Sequence, residues 1–508
     1  MKFLNRKDIF FFILSIVHFL IVFKYTFPAD YIGFTFKQKF VYMIYKIVSF
    51  ILIVGFWQFI NFIFTSIKEK KSEKISFIKY FSIYFLLNMI VLFLTYPLMI
   101  IENCLCVSFV DLHSNNMTMH PSLFQFLNIA FFYHVIPSMV GVSICNSFCF
   151  SLIFAYIITS VRKIVKSNWA NLLFIPFCFP FVLALNQCPQ RLIPCAWLFI
   201  FVLSFIFFNQ KKVIKDNIKV ILFALISSIL IVSRSEYVIL LVFLPLIIYL
   251  FKVVDVKRCI LYTFILLLMF FSYNFIVKSQ DSYHYELHNL SYIYDDYFLN
   301  DIPDKDIEKN SLILKKVYKN SFDISDLPST SDSFDMSDNK EVSVVISTLT
   351  KFAFKNAYHF IKKNIALLNF SEDDIFRLYF EKEQVKRNWL ESSEKLYINL
   401  DEDNPRFDKI TSFILNLNVN NKASDLIKFI YSPINCAYLL ILVFVFALIQ
   451  RRFFYVFNSV LFLIIFLLTL IFMKWIVSLY FFAFILNTWY LFFLYIVTLF
   501  INKKERVI

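Results

Sequence analysis

Long runs of apolar residues, separated by shorter polar stretches, form the hydrophobic pattern of this chain. A helix needs about 20 mostly apolar residues to cross the hydrocarbon core of a bilayer, and the sequence supplies such runs repeatedly. The candidate spans are 8–24, 40–65, 80–101, 135–160, 171–186, 192–208, 220–233, 237–251, 259–277, 432–449, 453–473 and 476–501. The pattern predicts an all-α polytopic membrane protein with about 12 transmembrane helices.

One long polar segment divides the apolar runs into three regions. Residues 1–277 form an N-terminal transmembrane region of about nine spans, 278–430 form a soluble segment, and 431–508 add about three spans. Within the soluble segment, 321–340 is a Ser/Asp-rich linker, and 341–366 has the apolar spacing of a helix that rests on the membrane surface. Residues 372–400 carry a further helical pattern, so we expect a mostly helical segment.

Positive charge is distributed unevenly among the loops and predicts their orientation. Alternate short loops and the two termini hold 23 Lys and Arg residues, beginning with Lys2, Arg6 and Lys7 and ending with Lys503, Lys504 and Arg506. Basic residues collect in cytoplasmic loops, so both termini are predicted to lie in the cytoplasm. An odd number of spans then places 278–430, with 20 basic and 26 acidic residues, outside the cytoplasm.

Composition supports a membrane protein and excludes several other classes. The chain is 59% hydrophobic and 17% charged, and its 69 phenylalanines favour an AT-rich bacterial source. The net charge of +14 follows from topology, with anionic membrane lipids as the partner and no role in nucleic-acid binding. Only three glycines occur, far apart, so no phosphate-cradling nucleotide loop can form.

Candidate chemistry begins in the polar loop that follows the third span. This loop lacks Lys and Arg, and it carries Asp111, His113, His120 and Gln125. A carboxylate at a membrane-surface cleft can act as a general base, or it can hold a divalent metal alone or with imidazoles. Alternatively, Asp111 caps a short helix that begins near Ser122 or is simply solvated.

Two tight corners on the same predicted side add cations to this picture. Arg191 lies in the first corner, and Arg234 with Glu236 lies in the second, Ser233–Tyr237. Charge at a membrane edge is costly unless it is paired or used. A guanidinium fork suits a lipid-linked phosphate, whereas a local Arg–Glu pair at the interface is the structural alternative.

These elements together resemble the GT-C superfamily of integral membrane glycosyltransferases. The resemblance is carried by Asp111 in an early loop, by the MHPSLFQFLN stretch at 119–128, by SRSEY at 233–237 and by LTKFAFKNAYHFIKKNI at 349–365. Such enzymes use polyprenyl-phosphate-linked sugars as donors. The chain departs from the pattern because two spans precede the one feeding the Asp111 loop, and that loop lacks a paired acidic motif.

The resemblance implies a mechanism and names its residues. Arg234, with Arg191, would hold the lipid phosphate and stabilise the leaving group. Asp111 would accept the proton of an acceptor hydroxyl, and His120 would orient the acceptor or assist a metal. His113, Gln125 and Glu236 would line the substrate site. The acceptor would be a cell-envelope glycan or lipid on the outer face of the cytoplasmic membrane.

Two other functions fit the same pattern. A polysaccharide (O-antigen type) polymerase or ligase also combines many spans with a large outer segment, and it differs in the length of its donor. A transporter or flippase of lipid-linked glycans needs ionisable residues deep within its spans, where this sequence has almost none.

Overall fold

The computed structural model describes residues 6–25, 36–69, 72–95, 132, 135–137, 139–186, 192–277, 290, 293, 303–317, 339–368, 429–472 and 481–499. In these ranges the chain is helical throughout, and no β-strand occurs. The predicted all-α class is therefore confirmed for the part of the chain that the structure describes. The helical pattern expected at 372–400 and most of the linker expected at 321–340 lie outside it.

Sixteen α-helices are defined in the described ranges. In chain order they are α1 Arg6–Tyr25, α2 Phe36–Glu69, α3 Ser72–Thr95, α4 Met139–Val165, α5 Phe174–Phe177, α6 Pro180–Leu185, α7 Leu192–Phe208, α8 Asn217–Val232, α9 Leu240–Leu250, α10 Val256–Val277, α11 Lys305–Val317, α12 Asn339–Lys355, α13 Ala357–Leu368, α14 Pro433–Ile449, α15 Phe453–Phe472 and α16 Phe482–Leu499. Two 3₁₀ helices, Asn168–Leu173 and Ser235–Ile239, precede α5 and α9 respectively.

Six of the described helices are long and apolar enough to cross a membrane: α2, α3, α4, α10, α15 and α16. Five shorter apolar helical stretches accompany them, in α1, α7, α8, α9 with its preceding 3₁₀ turn, and α14. These eleven elements coincide with predicted spans to within a few residues at most ends. The architecture is that of a multi-pass membrane protein.

The predicted span at 171–186 is divided in the structure into three short pieces. A 3₁₀ helix at Asn168–Leu173 begins at Ser167, whose Oγ accepts a hydrogen bond from Trp169 N (3.3 Å). The four-residue α5 follows, and the six-residue α6 begins at Pro180. Proline has no N–H to donate and clashes with the preceding helical turn, so Pro176 and Pro180 prevent one continuous helix.

The core of the bundle lies around α4, α15 and α16. The membrane-span windows of these helices are 67%, 61% and 78% buried, whereas those of α2 and α10 are only 17% and 11% buried. Stacked aromatic side chains join the central helices, as where Tyr84 of α3 meets Phe154 of α4 (ring centroids 4.2 Å apart). Helices α2 and α10 therefore line the edge of the bundle and present apolar side chains outward.

Charged side chains concentrate at one end of the bundle, which we call the basic end. There Lys163 of α4 pairs with Glu73 of α3 (Nζ–Oε2 2.7 Å), and Arg258 of α10 pairs with Asp255. The loops after α7 and α9 are joined by backbone hydrogen bonds from Lys211 N and Ile214 N to the 251–253 turn (3.0 and 2.8 Å). We call the other end, which includes the 233–237 corner, the polar end.

The polar segment contributes α11, α12 and α13, which form their own small core. Val345, Leu349 and Phe352 of α12 are buried at helical spacing and belong to one apolar cluster with Ile307 and Leu314 of α11. The apolar spacing predicts one helix over 341–366, but the structure has two, divided at Asn356.

An ion-pair cluster ties α12 to the start of α11. Lys355 Nζ contacts Asp304 Oδ2 (3.1 Å) and Asp306 Oδ2 (3.0 Å). The hydrogen bond from Lys355 holds the pKa of Asp306 below its usual value. Asp304 Oδ1 also accepts from Asp306 N (2.9 Å) and so caps α11. This cluster fixes α11 and α12 as one unit.

This small core is docked on the polar end of α15. Asn364 of α13 donates its side-chain N–H to the carbonyl oxygen of Leu470 (2.5 Å), and Phe354 packs edge-on against Phe472 (5.1 Å). The last carbonyl groups of a helix have no partner within it, so Asn364 satisfies one that would otherwise be unpaired. The contact fixes where the polar segment meets the apolar bundle.

Replacing Gly141 with Ala should destabilise the fold by about 1–3 kcal/mol. A Cβ at this position of α4 would overlap the carbonyl oxygen and side chain of Ile136 in the preceding turn. Thermal unfolding in detergent measures the effect. Gly55→Ala is the matched control, because a Cβ there meets nothing within 4 Å. An equal midpoint for Gly141→Ala and the parent protein would show that the turn does not pack as described.

Candidate functional site

The 233–237 corner is built by an abrupt stop of α8 followed by one 3₁₀ turn. Ser233 Oγ donates to the carbonyl of Leu230 (2.6 Å) and closes the last turn of α8. Arg234 has an extended backbone (φ −151°, ψ 142°), which ends the helix. Tyr237 N then donates to Arg234 O (3.1 Å) and starts the turn. Glu236 and Tyr237 are therefore brought back towards Arg234.

Arg234 and Glu236 form an ion pair that is almost closed from solvent. The guanidinium of Arg234 contacts the Glu236 carboxylate, and their side chains are 5% and 7% exposed respectively. Burying either charge alone would cost several kcal/mol, so each requires the other or an equivalent counter-charge. The sequence allows two interpretations: an Arg–Glu pair that reaches the membrane interface, or a guanidinium that binds a lipid-linked phosphate. The burial of both side chains argues against a pair exposed at the interface.

Aromatic rings fix the position of the guanidinium. Arg234 Cζ lies 5.7 Å from the ring centroid of Tyr237, close enough for a cation–π interaction. Tyr237 is 2% exposed and packs against Phe199 of α7 (5.6 Å), which in turn meets Phe462 of α15 edge-on (5.1 Å). Phe199 lies two helical turns from the polar end of α7, so the Tyr237 ring lies below that end.

A buried hydrogen-bond network lies in the same half of the bundle and supports the broken segment. Asn186 Nδ2 donates to Tyr84 Oη (3.1 Å) and to Asn88 Oδ1 (3.0 Å), and Trp197 Nε1 donates to Asn186 Oδ1 (2.8 Å). Tyr84 Oη donates to the carbonyl oxygen of Phe177 (3.0 Å), the last residue of α5, which has no hydrogen-bond partner within that helix. All of these side chains are completely buried, and the network joins α3, α5 and α7.

Asparagine at a buried position of an apolar helix was the sequence signal for this network. None of Tyr84, Asn88, Asn186 and Trp197 was among the predicted site residues. A second missed group is His18 of α1, whose Nε2 donates to Val135 O (2.9 Å) while its Nδ1 accepts from Trp57 Nε1 (3.3 Å). This histidine ties α1 and α2 to the turn before α4.

Most of the predicted site residues fall outside the described part of the chain. Asp111, His113, His120, Gln125 and Arg191 all lie there. The structure therefore leaves their roles as predictions, together with the possibility of a divalent metal held by Asp111. Among the described residues there is no group of three His, Cys, Asp or Glu side chains that could hold a metal ion, and the six described cysteines are free thiols.

The fold and this corner define a multi-pass, all-helical membrane protein with a buried arginine–carboxylate pair near one end of its bundle. No protein-family model, curated protein or solved structure matches the chain.

The chemistry of the corner is that of a guanidinium already paired with a carboxylate. A guanidinium presents planar donors that match carboxylate and phosphate equally well, and Glu236 contacts them in this structure. Because a guanidinium has five N–H donors, it can contact a second anion without releasing Glu236. Displacing the carboxylate would instead leave the buried Glu236 unpaired.

Replacing Asn186 with Leu should destabilise the protein by about 2–4 kcal/mol, because Trp197 Nε1 and Asn88 Oδ1 would each lose a partner in the dry interior. Thermal unfolding of the purified protein in detergent measures this. Asn209→Leu is the comparison, since Asn209 is partly exposed just after α7, and its side chain bonds to Phe205 O one turn earlier (2.8 Å) and to Tyr156. Equal losses for the two variants would contradict a special role for the network.

Proposed function

We propose that this protein is a membrane glycosyltransferase that transfers a sugar from a polyprenyl-phosphate-linked donor to a cell-envelope glycan or lipid. The single observation that carries the proposal is the buried Arg234–Glu236 pair in the 233–237 corner. A charged pair costs free energy in an apolar bundle and is retained most readily where it binds something.

The donor's chemistry agrees with this corner. Its phosphate is a diester that carries one negative charge, and a guanidinium can bind its two non-bridging oxygens through two parallel N–H donors. Its polyprenyl chain is an apolar tail that belongs in a bilayer. The donor carries no nucleotide, and the three glycines of the chain form no nucleotide-binding loop. Arg234 would hold the phosphate as a leaving group and stabilise the charge that develops on it.

The other roles come from the sequence resemblance. Asp111 would accept the proton of the acceptor hydroxyl as it attacks the anomeric carbon, which inverts that carbon. Arg191 would assist Arg234 at the phosphate, and His120 would orient the acceptor. His113 and Gln125 would line the same site, and a divalent metal would be held near Asp111 if one is used.

The proposal includes a topology of about 12 spans in a cytoplasmic membrane. Both termini would be cytoplasmic, and 278–430 would lie on the outer face together with the corner. Two observations support this arrangement: the basic side chains gather at one end of the described bundle, and α11–α13 dock at the other.

The arginine of the corner should be essential for transfer. Arg234→Ala should lower transfer by about 10²–10³-fold, the usual effect of removing one transition-state donor. The measurement is the surface-glycan profile of a deletion strain complemented with each variant, together with release of prenyl phosphate by membranes. Asp111→Asn should fail to complement in the same assay.

Loss of folding must be separated from loss of function. The double variant Arg234→Leu with Glu236→Leu removes both buried charges, so it should insert and fold normally and still be inactive. Arg258→Ala is the control, because it removes a more exposed pair with Asp255 (side chains 23% and 39% exposed) at the basic end. Full complementation by the Arg234 variants would overturn the proposal.

The sidedness is tested by labelling with a membrane-impermeant maleimide. A cysteine at Leu312, which is 82% exposed on α11, should react in intact cells. A cysteine at Lys257, at the start of α10, should react only after the membrane is opened. The parent protein gives the background from its own nine cysteines. The reverse pattern would place α11 in the cytoplasm and contradict the topology.

A further inference from the structure

Besides Tyr495 Oη, four polar atoms of α15 and α16 have no hydrogen-bond partner among the residues that the structure describes. They are Asn458 Oδ1, Ser459 Oγ, Asn487 Oδ1 and Thr488 Oγ1, and all four residues are 0% exposed. Buried polar groups nearly always have a partner, because leaving one unpaired in an apolar environment is costly. These four atoms are therefore candidates for binding a group from outside the described part of the chain.

Two aromatic contacts define how α15 and α16 lie against each other. Tyr455 meets Tyr495 (ring centroids 5.2 Å apart), and Phe466 meets Phe484 (4.6 Å). From the first contact to the second, the residue number rises by 11 on α15 and falls by 11 on α16. The two helices are therefore antiparallel, and their register is the same at both contacts.

Ser459 and Thr488 face each other's helix between these contacts. Ser459 lies one turn beyond Tyr455 on α15, and Thr488 lies one turn beyond Phe484 on α16, so each shares the face of a residue that touches the other helix. The register places Thr488 opposite Phe462. Ser459 is three residues from Phe462, about 4.5 Å along the helix axis. The unpartnered hydroxyl groups therefore lie close together in one interface.

The charged corner lies at the same depth. Phe199 packs against both Tyr237 of the corner (5.6 Å) and Phe462 (5.1 Å). Arg234 contacts Tyr237, and Thr488 is level with Phe462. One layer of the bundle thus contains a charged pair and, beside it, a group of neutral polar atoms without partners.

We infer that the α15–α16 interface around Ser459 and Thr488 is a hydroxyl-binding subsite, and that it takes the sugar of a lipid-phosphate donor. This inference rests on the proposed function. Hydroxyl groups and amide carbonyls suit a sugar because sugar hydroxyls both donate and accept hydrogen bonds. The phosphate would lie at Arg234, and the sugar would extend towards α15 and α16. Because these side chains are closed from solvent, binding requires the two helices to move apart.

Ordered water can form the same hydrogen bonds as the hydroxyl groups of a sugar, and the experiment distinguishes the two. The probes are a short-chain prenyl phosphate and the same prenyl phosphate carrying glucose, galactose or mannose. Each is added to the purified full-length protein in detergent, and the apparent affinity is read from the shift in thermal unfolding. The bare probe reports on the phosphate site, and the difference between the probes reports on the sugar.

We expect at least one sugar-bearing probe to bind the parent protein more tightly than the bare probe. Thr488→Val and Ser459→Ala should each lower the affinity for that probe about five- to tenfold and leave the bare probe unchanged. Thr488→Ser should keep the parent affinity. Thr469→Val is the matched control on α15, because Thr469 Oγ1 already donates to Ile465 O (2.8 Å).

The outcomes separate this inference from the proposed function. If Thr488→Val and Ser459→Ala bind the sugar-bearing probe as tightly as the parent protein, the inference is overturned and the unpartnered atoms hold water only. The proposed function itself fails if neither probe binds the parent protein. It also fails if the Arg234→Leu with Glu236→Leu variant binds the bare probe as tightly as the parent protein does. The assignment of a sugar to the interface then fails with it.

Discussion

Backbone hydrogen bonding inside an apolar bundle is the constraint on which the rest of this structure depends. Where no water is available, each N–H and C=O group needs a partner within the protein. Helices meet this requirement by themselves, but the chain between α4 and α7 breaks into three short pieces at its prolines. Tyr84 supplies the donor that the carbonyl of Phe177 lacks, and Asn186 holds Tyr84 in place. The packing of α3, α4 and α7 follows from that repair.

The polar groups of the bundle differ in how completely they are hydrogen-bonded or charge-paired. The Asn186 network is fully paired and has a structural explanation. The Arg234–Glu236 pair is matched in charge, yet an apolar pair of similar size would be as stable, so stability alone does not explain why it is there. The hydroxyl groups of Ser459 and Thr488 have no hydrogen-bond partner among the described residues. This gradation, from fully paired to unpaired, agrees with a structural role for the Asn186 network and with the ligand-binding roles proposed for the other two groups.

Several features were predictable because they depend on local sequence. Runs of about 20 apolar residues located most of the spans, and α7 begins and ends where its apolar run does. The stop of α8 and the polar turn at 233–237 also followed from the order of residues. In contrast, the division at Asn356 and the hydrogen bonds that hold the three pieces at 168–185 depend on contacts with neighbouring helices, which residue spacing does not report.

Sequence alone determined that this chain is an all-helical membrane protein, which end of its bundle is basic, and that Arg234 and Glu236 share one tight turn. These properties follow from hydrophobic run length and from neighbours along the chain. Only the tertiary structure decided that the pair is buried, that Tyr237 and Phe199 hold it at the depth of Phe462, and that Asn186 joins three helices. The reason is that burial and depth are set by contacts between residues that are far apart in sequence, and no local pattern encodes them.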